Sequence, residues 1–262
     1  MNLQNPVKAT DNLKLSVIEH DAAFAENRRQ FYENHYRVAE LMDPWHAYAQ
    51  DVVHSTTKKW FHDFGKTRGG RILNAGSGGS DYGIDEPMIH MDLTAESVAK
   101  FPNSIVGDVS NISVADSTFD VVLCVGSVLN YGNPILAIQE FQRVLRPGGL
   151  LIMEYERSGS PEYWRAHGTS AACVRVETFY GRVKTQLWAY GDEFIDGLLT
   201  IHTFKKLAEI RFHGLSSLAL ALTDSPRFAS HCVIGDKILT NHWPIRCLAS
   251  NRMLAVEKLA HQ

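Results

Sequence analysis

The chain has 262 residues, enough for one core with an appended segment, and its 45% hydrophobic and 21% charged content excludes a disordered or fibrous protein. With 26 basic against 29 acidic residues, its formal charge of −3 supplies no field to draw in a phosphate backbone or an anionic membrane, so neither nucleic acid nor a membrane is expected as a partner. The first residues are polar where a secretory leader is apolar, no apolar run reaches membrane-spanning length, and Cys124, Cys173, Cys232 and Cys247 lack paired spacing. The expectation is a cytoplasmic protein with free, mostly buried thiols and no metal site.

Over 24–64, Phe31, Tyr32, Tyr36, Trp45, Tyr48 and Trp60 recur at helical spacing interrupted at Asp43-Pro44, which predicts two or three helices forming an N-terminal helical cap over 1–66. A basic, glycine-bearing linker around Gly69 and Gly70 then opens a second unit, 67–262. Its first apolar run, 72–75, turns into Gly76-Ser77-Gly78-Gly79-Ser80, a strand feeding a glycine turn. Further runs at 88–93, 104–106 and 119–125 are apolar almost throughout, as strands covered on both faces of a parallel sheet are. Helices are predicted at 95–100 and 134–145, where Ile135, Ile138, Phe141, Val144 and Leu145 make one stripe. The second should stop at Arg146-Pro147-Gly148-Gly149 before a fifth strand at 150–155. Beyond this lie a β-hairpin with strands at 173–176 and 183–188, a helix at 192–204, a strand at 208–212, a helical insertion at about 216–249 and a last strand at 252–258. Alternating strands and helices define an α/β doubly wound sheet.

In such a sheet the ligand crevice lies beyond the carboxyl ends of the strands where strand order reverses, which brings Gly76, Asp92, Asp108 and Gly126 together. A dinucleotide fingerprint needs a glycine where Asp81 stands, and that carboxylate would repel a pyrophosphate; a Gly-Lys-Ser/Thr phosphate loop is also absent. A cofactor with a ribose, an adenine and a cationic end but no phosphate suits these acids, and S-adenosylmethionine is such a molecule. On these residues the chain resembles the class I S-adenosylmethionine-dependent methyltransferase family, in particular the branch called methyltransferase type 11. The glycine turn after Ile72-Leu73-Asn74, the acid Asp92, the pair Asp108-Val109, the run from Phe119 to Gly126 and the segment Leu145-Arg146-Pro147-Gly148-Gly149 carry the resemblance. It implies a Rossmann-like, mostly parallel seven-stranded sheet with helices on both faces. It also implies a cofactor site of Asn74, Gly76, Ser77, Gly78, Asp92, Leu93, Asp108, Val109, Val125 and Gly126. Three features depart from the pattern: Asn74 stands for an acid, Ser80 for a third glycine, and the short link from Gly76 to Asp92 leaves the first helix shortened or missing.

Methyl transfer from a sulfonium demands alignment more than any fixed catalytic group. The substrate side is expected to include Asn130 and Tyr131, just past the fourth strand, with Tyr36 from the helical cap; His167, in a loop after the fifth strand, is the candidate base. The resemblance implies O-, N- or C-methylation of a small metabolite, with the tail similar to bacterial members tied to natural-product or cell-surface polysaccharide pathways. The alternative is a non-catalytic binding or regulatory protein on the same fold, for which Asn74 and Ser80 speak. Oligomeric state, a homodimer included, stays open.

Overall fold

The computed structural model describes Gln30, 44–164, 171–180, 183–223, 225–240 and 242–260. Its centre is a seven-stranded sheet in the order β3-β2-β1-β4-β5-β9-β8. Strands β1 (Ile72–Ala75), β2 (Met88–Asp92), β3 (Ser104–Val106), β4 (Phe119–Cys124) and β5 (Leu145–Glu156) run parallel, and β9 (Asn251–Lys258) lies antiparallel between β5 and β8 (Phe204–Phe212). Order reverses at β1, with β2 on one side and β4 on the other, so a crevice opens where their carboxyl ends diverge. β1 and β4 are buried at every position, which is why their sequences are apolar runs rather than alternations.

Helix α3 (Pro134–Val144) starts with Asn133, whose side chain accepts from the N–H groups of Ile135 and Leu136, and with a proline in the first turn. Its buried stripe of Ala137, Ile138, Phe141 and Val144 joins Leu73, Val122, Leu151 and Leu254 in the core on one face of the sheet, together with Ile195 and Leu199 of α4 (Asp192–Ile201). The opposite face packs Ile72, Val121, Leu123, Ile152 and Met253 against Tyr48, Val53 and Trp60 of α1 (Pro44–Trp60), which continues through a wider turn, Phe61–Gly65. The link between β1 and β2 is turns without a helix, as its shortness predicted, and its Tyr82 and Ile84 fill the same core beside α1. α1 thus takes up the face that the missing helix would have covered.

Several boundaries differ from expectation. α2 is a single turn (Ala95–Val98), and β5 begins at Leu145, directly after α3, so Arg146 to Gly149 do not separate helix from strand. Those four residues form a bulge: Phe119 pairs with Leu145 and Val121 with Leu150, leaving Asp120 opposite the extra residues and ion-paired with Arg146. Gly148, at φ 76°, makes the bulge possible. α4 ends at Ile201 because Thr203 turns to φ 58°, and β8 starts at Phe204. The hairpin is β6 (Cys173–Tyr180) and β7 (Val183–Tyr190), a sheet of its own. The insertion is two helices, α5 (Leu215–Thr223) and α6 (Pro226–Leu239), followed by a short turn of helix, Ile245–Leu248. Of the cysteines only Cys124 is buried; Cys173 and Cys232 are half-buried and Cys247 is exposed, so the thiols are free but not mostly buried. No helix among the described residues is long and apolar enough to cross a membrane.

Candidate functional site

The glycine turn is anchored from below and open above. The N–H groups of Gly76 and Ser77 both donate to the carbonyl of Met91, at 2.8 and 2.9 Å, which ties the turn to the end of β2. Asn74, fully buried at the end of β1, donates from Nδ2 to the carbonyl of Ser80 at 2.7 Å, while its Oδ1 has no partner among the described residues. Gly78 adopts φ 50° and donates its N–H to Asp92 Oδ2 at 2.9 Å; a Cβ added to it would meet nothing within 4 Å. Gly76, at φ 77°, is different, because a Cβ there would lie 2.5 Å from both methyl groups of Val128. Helix α1 reaches the same turn, with His54 Nε2 3.3 Å from Ser80 Oγ.

The neighbouring strands deliver the remaining residues to this edge. The N–H of Gly107 donates to the carbonyl of Asp92 at 2.9 Å, and Asp108 closes a tight turn by accepting from Ser110 N–H at 2.7 Å. Leu93 is half-buried and Val109 buried, while past β4 Val125 is buried and Gly126 exposed at φ 84°. Thus Asn74, Gly76, Ser77, Gly78, Asp92, Leu93, Asp108, Val109, Val125 and Gly126 all sit at the carboxyl ends of β1 to β4.

Beneath Gly126 and Ser127 lies a residue that sequence reading passed over. Glu154 interrupts the apolar run of β5, is almost wholly buried, and accepts from Ser127 N–H and from Asn251 Nδ2, the latter at 2.7 Å. Burial pushes its carboxyl up to about 7 against the hydrogen bonds it receives. Ser127 itself holds a left-handed conformation at φ 59°, rare for a residue with a side chain, and Glu154 fixes it there. A single charged residue within the otherwise apolar run 150–155 was the signal that could have found it.

On the substrate side the amide of Asn130 is buried and spent on backbone: Nδ2 donates to the carbonyls of Glu156 (3.1 Å) and Trp188 (2.6 Å), and Oδ1 accepts from Glu156 N–H (2.9 Å). It is a strut between β5 and β7, so its chemistry is that of the turn. Tyr131, half-buried, packs against Tyr163, Val176, Leu187 and Ala189, the small core under the hairpin. Tyr163 donates its hydroxyl to Glu156 Oε2 at 2.8 Å, and Glu162, raised to about 8 by desolvation and then by Glu156, accepts from Ser160 Oγ at 3.0 Å. Trp45, at the start of α1, stacks on the fully buried His213 at the end of β8, ring centroids 3.9 Å apart. Burial holds His213 well below the usual histidine range, and Ser216 Oγ lies 3.0 Å from its Nδ1. Tyr36 and His167 lie outside the described residues.

Strand order, the antiparallel β9 and a glycine turn facing an acid at the end of β2 define a class I S-adenosylmethionine-dependent methyltransferase fold. Comparison with known proteins agrees: residues 73–153 match the family model described as a methyltransferase domain, the type 11 branch. Over 130 residues it is 26% identical to a ubiquinone/menaquinone biosynthesis C-methyltransferase of Bdellovibrio bacteriovorus, a match covering 43% of this chain and 55% of the relative, so the chain spans only about half of that protein. Among solved structures, a protein of Pyrococcus horikoshii superposes at a TM-score of 0.52 with 16% identity, covering 87% of this chain and 98% of the other. A methyltransferase of Methanosarcina mazei gives 0.51 with 15% identity, covering 77% and 97%.

Proposed function

We propose that this chain binds S-adenosylmethionine and transfers its methyl group to an oxygen, nitrogen or carbon atom of a small metabolite. The observation that carries the reading is the turn from Gly76 to Gly78 bonded to Asp92, open on its outer side, with Asp108 and Gly126 at the same sheet edge. The cofactor, when bound, supplies a methyl group already activated on sulfur. Asn74 Oδ1 is a buried acceptor without a partner among the described residues, which suits a cationic ammonium end, although a neutral amide holds it less strongly than an acid would. Asp92 is the acid for the ribose hydroxyls, and Asp108 with Val109 flanks the adenine. On the acceptor side Tyr131, half-buried past β4, is a proposed contact to a small organic substrate, the chemistry that the quinone-pathway relative is named for. His167 remains the proposed base and Tyr36 a proposed contact.

Calorimetric titration with S-adenosylmethionine and S-adenosylhomocysteine tests this. Micromolar binding is expected, weakened by about tenfold to a hundredfold in Asp92→Ala because a charged acceptor is removed. Affinity unchanged in the variant would overturn the placement of the ribose. Tight binding with no turnover across a broad panel of small acceptors would favour the non-catalytic reading, for which the neutral Asn74 speaks.

A further inference from the structure

Helix α6 presents two faces of opposite chemistry. Its inner face buries Ala229, Val233 and Asp236, and that acid is consumed in capping α5, accepting from Leu215 N–H at 2.6 Å and from Thr240 Oγ1 at 3.0 Å. Its outer face exposes Phe228, Ile234 (73%), Ile238 (69%) and Leu239, interleaved with Arg227, His231 and Lys237. Leu222 of α5 (70%) and Trp243 just beyond α6 (83%) extend the apolar surface at either end. Asp236 is the one acid within 226–239, so every charge this helix shows to solvent is basic. A groove of about 490 Å³ between α6 and α1, mostly apolar and lined by Ala47, Tyr48, Val233 and Ile234, adjoins this face; Lys237 stands on one rim and Asp51 on the other.

Soluble monomers rarely leave so many large aliphatic and aromatic side chains exposed together. Aliphatic anchors flanked by aromatics and set among basic residues, with no exposed acid on the helix, form the pattern of a helix lying in a lipid interface. A second copy docked on this face would bring Arg227 and Lys237 of two helices together with no exposed acid on either to offset them. We propose that the outer face of α6, with Leu222 and Trp243, docks the protein on an anionic lipid surface. The formal charge of −3 is a whole-chain sum and conceals this local basic, apolar patch. The inference rests on exposure and charge, independently of the methyltransferase reading.

Sedimentation of the full chain with vesicles tests it. The protein is expected to pellet with mixed phosphatidylcholine and phosphatidylserine vesicles, to be released by high salt, and to remain in solution with phosphatidylcholine alone. The double variant Ile234→Glu, Ile238→Glu changes only exposed positions; it should lose about tenfold or more of the vesicle affinity while titrating with S-adenosylmethionine as the parent does. If that variant loses its far-ultraviolet spectrum, Trp243→Ser in the loop is read the same way. Failure of the parent to pellet with the anionic vesicles overturns the proposal, as does pelleting that the substitutions leave unchanged. A parent dimer that the double variant converts to monomer, without vesicle binding, assigns the face to a second copy instead.

Discussion

Gly76 and Gly78 both adopt left-handed backbone, yet a methyl group added to each meets different surroundings. At Gly76 it would press into Val128 at 2.5 Å, adding overpacking to backbone strain, so Gly76→Ala should destabilise the fold by about 3 kcal/mol. Val128→Ala in the same chain should recover the steric part and leave the strain. At Gly78 space is open, so Gly78→Ala should cost only the strain, about 1 kcal/mol, while its methyl stands in the cradle and weakens S-adenosylmethionine binding. Thermal melting and calorimetry on the three variants separate these outcomes; equal melting temperatures for Gly76→Ala with and without Val128→Ala would contradict the packing account. These glycines and Asp92 were legible in the sequence because a turn chemistry and a strand end mark them. Val128 was not, since nothing in a linear pattern tells which side chain occupies the space a glycine leaves.

Asn130 shows how a polar residue near a site can serve elements rather than substrate. Its three bonds join the carboxyl end of β5 to β7, so Asn130→Ala leaves a buried N–H and two carbonyls without this partner. A loss of about 3 kcal/mol is expected, together with faster proteolysis within 171–190 and cofactor affinity kept near that of the parent. Unchanged proteolysis would show that the hairpin is held by its apolar core alone. At this scale the parallel strands could be read directly, because doubly covered strands are continuous apolar runs. The start of β5 could not, since Arg146-Pro147-Gly148-Gly149 reads as a break whether the chain leaves the sheet or bulges within it. Nor does helical periodicity say which face a helix covers: the aromatics of α1 signalled burial, and only the missing helix after β1 determines where.

Over the whole molecule, two sets of buried groups pull stability in opposite directions with pH. His54, His90, His202 and His213 are held below the ordinary value of 6.5, chiefly by burial, so the unfolded chain takes up their protons first and stability falls as pH drops below about 6.5. Glu154 and Glu162 are raised from 4.5 to about 7 and about 8, so the folded chain holds their protons more tightly. Their contribution is full below pH 4.5 and is lost as pH rises through 7 and 8, about 3 kcal/mol for Glu154 across that window. Above 6.5 these histidines become neutral in both states, and the two glutamates carry the remaining change. Stability should therefore peak near pH 6.5 and decline towards 8. Glu154→Gln with Glu162→Gln should flatten the alkaline decline and steepen the limb between 4.5 and 6.5, where the two glutamates oppose the histidines, whatever it does to stability at the peak. Thermal melts of both proteins from acid to mildly alkaline pH decide it, and an alkaline limb equally steep in the variant would place its source in other groups. Because Ser127 N–H donates to Glu154, the ionised carboxylate holds that left-handed turn more firmly than the neutral acid does.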